Sequence, residues 1–306
     1  MRDEIHSELS KAVIKPLLYS DIFHYPLTSR EIFERLDVVC NNIAIIEEEL
    51  RQLVDAHIIF RFGDFYSMRD DVSLALRRSA GNRMAKDIMP RAIRRSRLIY
   101  SFPFVRAVMI SGSLSKDFLD KNGDIDFFIV TAPGKVWLTR GLLALFQRLV
   151  LFNSHKYFCV NYYLDCDHLT IEEQNVFTAT ELITLKPMCG NEHYGPLVAG
   201  NGWVKRYYPQ FKPATSVSHS KFLLWPKRLF EIVLTPFAPR IDAWVMKRLT
   251  QRAIRIHGNR FDKDDFEVAF RATPHVSKNH AGNYQRKITD KFEQRLASFF
   301  SEMVPL

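Results

Sequence analysis

Apolar positions recur along the chain with two different periods, three to four residues in some stretches and two residues in others. Near the start, the helical period predicts one helix over residues 5–19, a second, shorter one, and a third over residues 42–56. Two short apolar runs on either side of Gly63 and Asp64 then predict a β-hairpin. Residues 1–75 are therefore predicted to form a small domain of helices and a hairpin.

The middle of the chain alternates predicted helices with predicted strands. A long helix, rich in Arg and Lys, is expected over residues 72–101. Runs of β-branched and apolar residues predict three strands, at residues 104–110, 127–130 and 157–164. A helix over residues 136–152 lies between the second and third strands. This mixture predicts an α+β domain over residues 82–212, with a small mixed sheet flanked by helices.

Five prolines between residues 209 and 239 interrupt the pattern and indicate a domain boundary near residue 212. Helical spacing returns over residues 227–257 and 284–300, so residues 213–306 are predicted to form a helical C-terminal region. No run of about 20 apolar residues exists, which predicts a protein without a transmembrane span.

Composition and charge narrow the class of protein. The four cysteines have no Cys-x-x-Cys spacing and the first residues do not form a secretory leader, so a cytoplasmic protein is expected. The net charge is +9, but residues 1–71 contain 8 Lys or Arg and 14 Asp or Glu, a net of −6. Residues 205–260 contain 12 Lys or Arg and 2 Asp or Glu, a net of +10. The basic excess therefore lies late in the chain.

The stretch with the most specific chemistry is VMISGSLSKDFLDKNGDIDFFIV, at residues 108–130. A predicted strand runs into Gly112 and Ser113, and Asp124 and Asp126 open the next predicted strand. Side chains two apart in a strand share a face, so both carboxylates are expected to converge on one cation. Gly112 has no Cβ, which leaves its backbone open to a phosphate, and Ser113 adds a hydroxyl donor.

A helix is expected to begin directly after Ser113 and to direct its free N–H groups at a bound anion. Lys116, one turn into that helix, would reach the outer phosphates of a polyphosphate. The segment thus combines donors for a triphosphate with carboxylates for a magnesium ion that bridges its phosphates.

This motif resembles that of the nucleotidyltransferase superfamily, which includes DNA polymerase beta and the antibiotic nucleotidyltransferases. Its signature is Gly-Ser, a spacer, then Asp-hydrophobic-Asp, and the resemblance covers residues 108–130. It implies transfer of a nucleoside monophosphate from a nucleoside triphosphate to an acceptor hydroxyl, with Mg²⁺ or Mn²⁺ as cofactor. Asp124 and Asp126 would hold metal, and Gly112, Ser113 and Lys116 would hold phosphate.

The resemblance also implies a third carboxylate from a neighbouring strand. Asp165 is the predicted residue, as catalytic group and metal ligand, but Asn161 lies on the same face of the same predicted strand. If Asn161 has the third position, one metal position loses a charged ligand. The chain would then bind nucleotide as a sensor or pseudoenzyme with little or no catalysis.

Glu181, in a helix-forming stretch, has two interpretations. The resemblance implies a catalytic base that takes the proton of the acceptor hydroxyl. A solvated surface glutamate is the alternative.

The flanking segments suggest partners. Three helices and a hairpin resemble a winged helix, so a DNA-binding regulator is a rival function, but Glu47, Glu48 and Glu49 on the third helix would repel DNA and disfavour it. The basic, aromatic segment at 205–260 fits a solvated helix face, a nucleic-acid backbone or an anionic membrane surface. The acceptor can be a small molecule, a protein or a nucleic acid.

Overall fold

The computed structural model describes residues 8–150, 157–213, 225–279 and 284–303. Its first 60 described residues form three helices and a three-stranded antiparallel sheet of order β1-β3-β2, here called the N-terminal unit. These elements are α1 (Glu8–Asp21), β1 (Leu27–Thr28), α2 (Ser29–Glu34), α3 (Ile43–Asp55), β2 (Phe60–Phe62) and β3 (Phe65–Ser67). Thr28 caps α2 by accepting a hydrogen bond from the Glu31 N–H, while the Glu31 carboxylate accepts one from the Thr28 N–H.

A single long helix connects this unit to the rest of the chain, which is built around a second sheet. Its elements are α4 (Val72–Tyr100), β4 (Val105–Ser111), β5 (Asp126–Thr131), α5 (Val136–Leu149), β6 (Cys159–Asp165), α6 (Val176–Ile183), β7 (Lys186–Cys189), α7 (Tyr194–Gly200), α8 (Trp225–Leu234), α9 (Ala238–His257), α10 (Lys263–Ala269), β8 (Ala272–Thr273), β9 (Val276–Lys278) and α11 (Tyr284–Met303).

The second sheet has six strands in the order β7-β4-β5-β6-β9-β8. β5 and β6 run parallel, and the other neighbouring pairs are antiparallel. The predicted α+β organisation, a mixed sheet with flanking helices, is confirmed. β4 and β5 are buried on both faces because their side chains alternate between two apolar clusters, one beneath α4, α5 and α9 and the other beneath α6 and α7.

The sequence predicted a helical C-terminal region, but the structure has two strands in it as well. β8 and β9 extend the six-stranded sheet, with β9 antiparallel to β6. These strands have two and three residues, too short for an alternating pattern to be visible. α11 packs on the N-terminal unit, where Ile288 and Phe292 are buried in the same apolar cluster as Leu50. The C-terminal region therefore adds two strands to the six-stranded sheet and packs one helix against the N-terminal unit.

Across the described ranges, no helix combines the length and the apolar character needed to cross a bilayer.

Candidate functional site

The turn after β4 brings the glycine and serine of the motif to the edge of the central strands. Gly112 has φ +66°, a left-handed conformation that glycine adopts without strain. The helix expected after Ser113 is absent: a single 3₁₀ turn spans Leu114–Lys116 and ends at Asp117 in the left-handed region. The Ser115 hydroxyl donates to the Gly112 carbonyl at 2.7 Å and closes the turn locally.

Gly112 packs directly against Asp126, the first residue of β5. Ser111 pairs with Asp126 across the antiparallel β4–β5 ladder, so the turn that follows lies over that carboxylate. A Cβ on Gly112 would overlap Oδ2 of Asp126. Asp124 lies two residues before the strand and is exposed, whereas Ile125 between them is fully buried. Asp126 therefore lies against the Gly112 turn, whereas Asp124 lies outside the strand and acts on Asp126 as a nearby charge.

The neighbouring strand β6 brings Asn161 to the site, and Asp165 lies elsewhere. The Asn161 amide donates to Asp126 Oδ1 at 2.6 Å. In the parallel β5–β6 register, Asp126 is level with Cys159 and Thr131 with Asp165. Five residues of strand, roughly 16 Å, thus separate Asp165 from the level of Asp126. The prediction that Asp165 completes the metal site with Asp124 and Asp126 is wrong, because strand register, not face, decides which side chain is adjacent.

Asp165 is instead buried at the opposite end of the sheet, where it organises a turn. Its carboxylate accepts hydrogen bonds from the N–H groups of Gly134 at 2.7 Å and Asp167 at 2.9 Å. The rings of His168 and His275 stack beside it, and potential ligand atoms of the three side chains lie within 4.8 Å of one another. This Asp-His-His group can hold a metal ion, but it lies far from the glycine-serine turn.

Glu181 of α6 lies inside the site and bonds to the groups that were assigned to phosphate. Its Oε1 accepts from Lys116 Nζ at 2.8 Å, and its Oε2 accepts from the Gly112 N–H at 3.3 Å. Lys116 also donates to the Gly112 carbonyl at 3.0 Å. The surface alternative for Glu181 therefore does not hold, since its carboxylate contacts the centre of the motif.

Negative charge accumulates around Asp126. Burial raises the pKa of its carboxyl to about 7, with further increases from the charges of Glu181 and Asp124 and a partial offset from Lys116. Three acids with one nearby lysine form a site that gains from an added cation. Asp126 lines the cavity, Asp124 adds a nearby negative charge, and Asn161 is the polar neighbour of Asp126 on β6.

A cavity of about 490 Å³ lies between this site and the N-terminal unit. The motif contributes Gly112, Ser113, Lys116 and Asp126 to its lining, and α6 contributes Glu181. The other side is formed by aromatic and cationic residues, namely Tyr19, Phe23, Tyr25, Arg35, Arg77 and Phe118.

Tyr25 joins the N-terminal unit to the motif. Its hydroxyl donates to the Lys116 carbonyl at 2.8 Å, and its ring meets that of Phe118 edge to face at 5.4 Å. Arg77 holds Asp120 through a bidentate pair whose shorter distance is 2.6 Å. Sequence reasoning missed Tyr25 and Arg77 because they come from other parts of the chain than the motif and belong to no recognisable pattern.

No protein-family model matches this chain, and neither the curated proteins nor the solved structures gave a match.

The donor set fits a hard divalent cation. Asp124 and Asp126 offer oxygen ligands, which magnesium prefers. The Cys159 thiol lies beside Asp126, and burial together with the neighbouring carboxylates raises its pKa to about 12, so the thiol stays protonated. The raised pKa of Asp126 is the electrostatic sign that the carboxylates are short of positive charge. With Asn161 in place of a third acid, this is a weaker site than three carboxylates would give.

Proposed function

We propose that this chain binds a magnesium–nucleoside triphosphate complex at the Gly112–Asp126 site and transfers the nucleoside monophosphate to an acceptor hydroxyl. The observation that carries the proposal is the contact between the backbone of Gly112 and the carboxylate of Asp126 at one side of a 490 Å³ cavity. A polyphosphate on the turn and a cation on the acid would touch each other there.

Lys116 and the Gly112 N–H are the donors for the phosphates. Both groups donate to Glu181, so a carboxylate occupies the donors that a phosphate oxygen would take over. An arriving triphosphate would displace that carboxylate, which then stays near the reacting atoms. Arg35 and Arg77 also line the cavity, where each pairs with an acid, Glu31 and Asp120 respectively.

In the proposed reaction the acceptor oxygen forms a bond to the α-phosphorus while the bond from that phosphorus to the bridging oxygen of pyrophosphate breaks. The hydroxyl proton passes to Glu181, the carboxylate freed from Lys116. Asp124 and Asp126 would hold the magnesium, which when bound stabilises negative charge on the phosphate oxygens.

The first experiment is calorimetric titration of the full chain with ATP and GTP, with magnesium and with EDTA. Asp126→Asn should abolish the magnesium-dependent part of binding and leave the fold intact, since the change is isosteric. Asp117→Asn is the matched control, because Asp117 is exposed on the same turn and does not line the cavity. Equal affinity of Asp126→Asn and the wild type would contradict the proposal.

Glu181→Gln separates binding from chemistry. Removing one negative charge frees Lys116, so triphosphate affinity should increase several-fold, whereas pyrophosphate release with a competent acceptor should fall by about a hundredfold or more if Glu181 is the base. A fall in both quantities together would argue against the role of Glu181 as base.

Asn161 favours a second candidate, nucleotide binding without turnover. Because the neighbour of Asp126 on β6 is an amide and not an acid, the second metal position used for in-line displacement lacks a charged ligand. Tight magnesium-dependent binding without pyrophosphate release, over a broad set of hydroxyl acceptors, would favour this sensor function over transfer.

A further inference from the structure

Two charged side chains of the helix α8, Lys227 and Glu231, face the protein. Lys227 Nζ donates to the carbonyls of Tyr100 at 2.8 Å and Val105 at 2.5 Å. Glu231 accepts from the Phe104 N–H at 2.7 Å and pairs with Arg106 at 2.8 Å. These two residues are four apart and so lie on one side of the helix, which is fixed to the start of β4 by polar contacts.

The opposite side of α8 is apolar and exposed. Trp225, Leu229 and Ile232 follow at the spacing i, i+4, i+7, and their exposed fractions are 61%, 53% and 71%. Phe230 and Val233 beside them are also more than half exposed. Surface helices normally bury the apolar side and expose the charged side, so the orientation of α8 is inverted.

This surface continues onto α9. Phe237 at the junction and Trp244 on α9 are 59% and 58% exposed, and the Arg248 guanidinium lies 5.6 Å from the Trp244 ring centroid. We call the exposed side chains of α8 and α9 together the α8–α9 surface.

Every exposed formal charge over residues 225–260 is positive. The two acids of this range point inward: Glu231 bonds as described, and Asp242 is buried and accepts from the Leu138 N–H at 2.7 Å. The exposed basic residues are Arg228, Arg240, Lys247, Arg248, Arg252, Arg255 and Arg260. Along α8 and α9, apolar and aromatic side chains are thus interleaved with cations, and these two helices expose no acid.

We infer that the α8–α9 surface docks this protein onto an anionic membrane surface, with α8 lying in the lipid interface. Trp and Phe prefer that interface, aliphatic side chains gain by entering the acyl boundary, and Lys and Arg pair with lipid phosphates. A nucleic acid is a poorer partner, because the aliphatic side chains of α8 cannot stack on its bases as aromatic side chains do. A second copy of the chain would bring the same positive charges together.

The native tryptophans provide a direct measurement. The chain has four, of which Trp137 and Trp203 are buried and Trp225 and Trp244 are exposed on this surface. Adding phosphatidylcholine vesicles that contain phosphatidylglycerol to the full chain should shift the emission to the blue and protect it from acrylamide. Vesicles of phosphatidylcholine alone should give a much smaller change, and the protein should float with the anionic vesicles in a density gradient.

Two variants separate the apolar and electrostatic contributions. Leu229→Ser with Ile232→Ser should weaken partitioning by roughly tenfold or more, because aliphatic surface no longer enters the bilayer. Arg248→Gln with Arg252→Gln should lower affinity for anionic vesicles by roughly fivefold for each charge. Leu76→Gln is the matched control, since Leu76 is a 66% exposed leucine on α4, outside the α8–α9 surface. All variants should keep the wild-type melting temperature.

Three outcomes would overturn the inference: no flotation with anionic vesicles, partitioning that Leu229→Ser with Ile232→Ser leaves unchanged, or self-association in sedimentation velocity that this pair of changes abolishes. Retention of RNA or DNA in a shift assay that vesicles do not compete would likewise assign the surface to nucleic acid.

Discussion

At the scale of single residues, position 161 determines how strongly the site holds a cation. The Asn161 amide nitrogen lies 2.6 Å from Asp126 Oδ1, so Asn161→Asp would place a second carboxylate directly beside Asp126. Without divalent ions the two charges repel, so we expect a melting temperature a few degrees below wild type. With magnesium the new ligand should raise cation affinity by about tenfold. Thermal unfolding with and without magnesium measures both effects.

The control for that variant is Asn122→Asp, which adds the same charge to the exposed turn of the motif. If both variants respond to magnesium to the same extent, proximity to Asp126 is not the cause. If Asn161→Asp also releases pyrophosphate faster than the wild type, the amide side chain of Asn161 limits the rate of transfer.

The carboxyl of Asp126 also makes stability depend on pH. Its pKa is raised to about 7 in the folded protein, chiefly by burial and then by Glu181 and Asp124, against 3.8 in an ordinary environment. Between these values the folded form binds the proton and the unfolded form does not, so stability should fall as pH rises. In EDTA, Asp126→Asn should therefore gain a few degrees in melting temperature over wild type at about pH 8 and little at about pH 5. A difference independent of pH would contradict this assignment.

The motif was predictable because its residues lie close together in the sequence. The residue that neighbours Asp126 on β6 was not predictable. Gly112, Ser113, Asp124 and Asp126 lie within one strand-turn-strand segment, so spacing alone brought them together. Asn161 and Asp165 were predicted to share a face of their strand, but a bulge at Asn161 interrupts the alternation of β6, and the neighbour of Asp126 depends on the register of β5 against β6. Register is set by packing across the whole sheet, which no local pattern encodes.

At the scale of elements, β7 pairs antiparallel with β4 on the edge of β4 that faces away from β5. Gly190, directly after β7, has φ +69°, and a Cβ there would overlap the Arg106 carbonyl of β4. Gly190→Ala should therefore lower the free energy of unfolding by at least about 2 kcal/mol. Gly195→Ala in α7 is the matched control, with nothing within 4 Å of the added Cβ, and should be neutral or slightly stabilising. Urea unfolding of both variants tests the difference.

The apolar periods predicted the positions of the long helices and strands. They could not predict the very short strands or the side of a helix that faces the protein. α5, α9 and the central strands lie where their patterns predicted them. β8 and β9 are too short to show a period. α8 has the expected amphipathic spacing, but spacing cannot say which side faces the protein. Its inversion follows from the contacts of Lys227 and Glu231 with β4 and its preceding turn.

The third helix retains the charge that argued against DNA. Glu47 and Glu48 are exposed on α3, and Glu48 pairs with Arg51 one turn later. A negatively charged exposed helix beside the hairpin would repel phosphates. The N-terminal unit is better explained by its contribution to the cavity.

At the scale of the whole molecule, the N-terminal unit and α11 form one core. Phe292 of α11 is 9% exposed and meets the Tyr19 ring edge to face at 5.4 Å. Phe292→Ala should cost about 3 kcal/mol of stability and increase amide hydrogen exchange throughout α1. Lys291→Ala, the exposed neighbour on the same helix, should change neither. Unchanged exchange in α1 of Phe292→Ala would show that the two segments unfold independently.

Contacts join the three consecutive segments that charge and proline content predicted as domains. Buried Arg78 of α4 donates to the Pro26 carbonyl at 3.3 Å and to Glu31 at 3.0 Å, and so fixes the N-terminal unit on the long helix. The cavity is formed only when these segments assemble. Its aromatic side was unpredictable for that reason.

The packing of α11 on α1 also affects how the protein is made. Arg295 pairs with Asp21, a residue 274 positions earlier. A chain growing on the ribosome therefore exposes the apolar side of α1 until α11 has been synthesised. Nascent chains arrested before residue 284 should bind chaperones at α1, and chains that include α11 should bind them less.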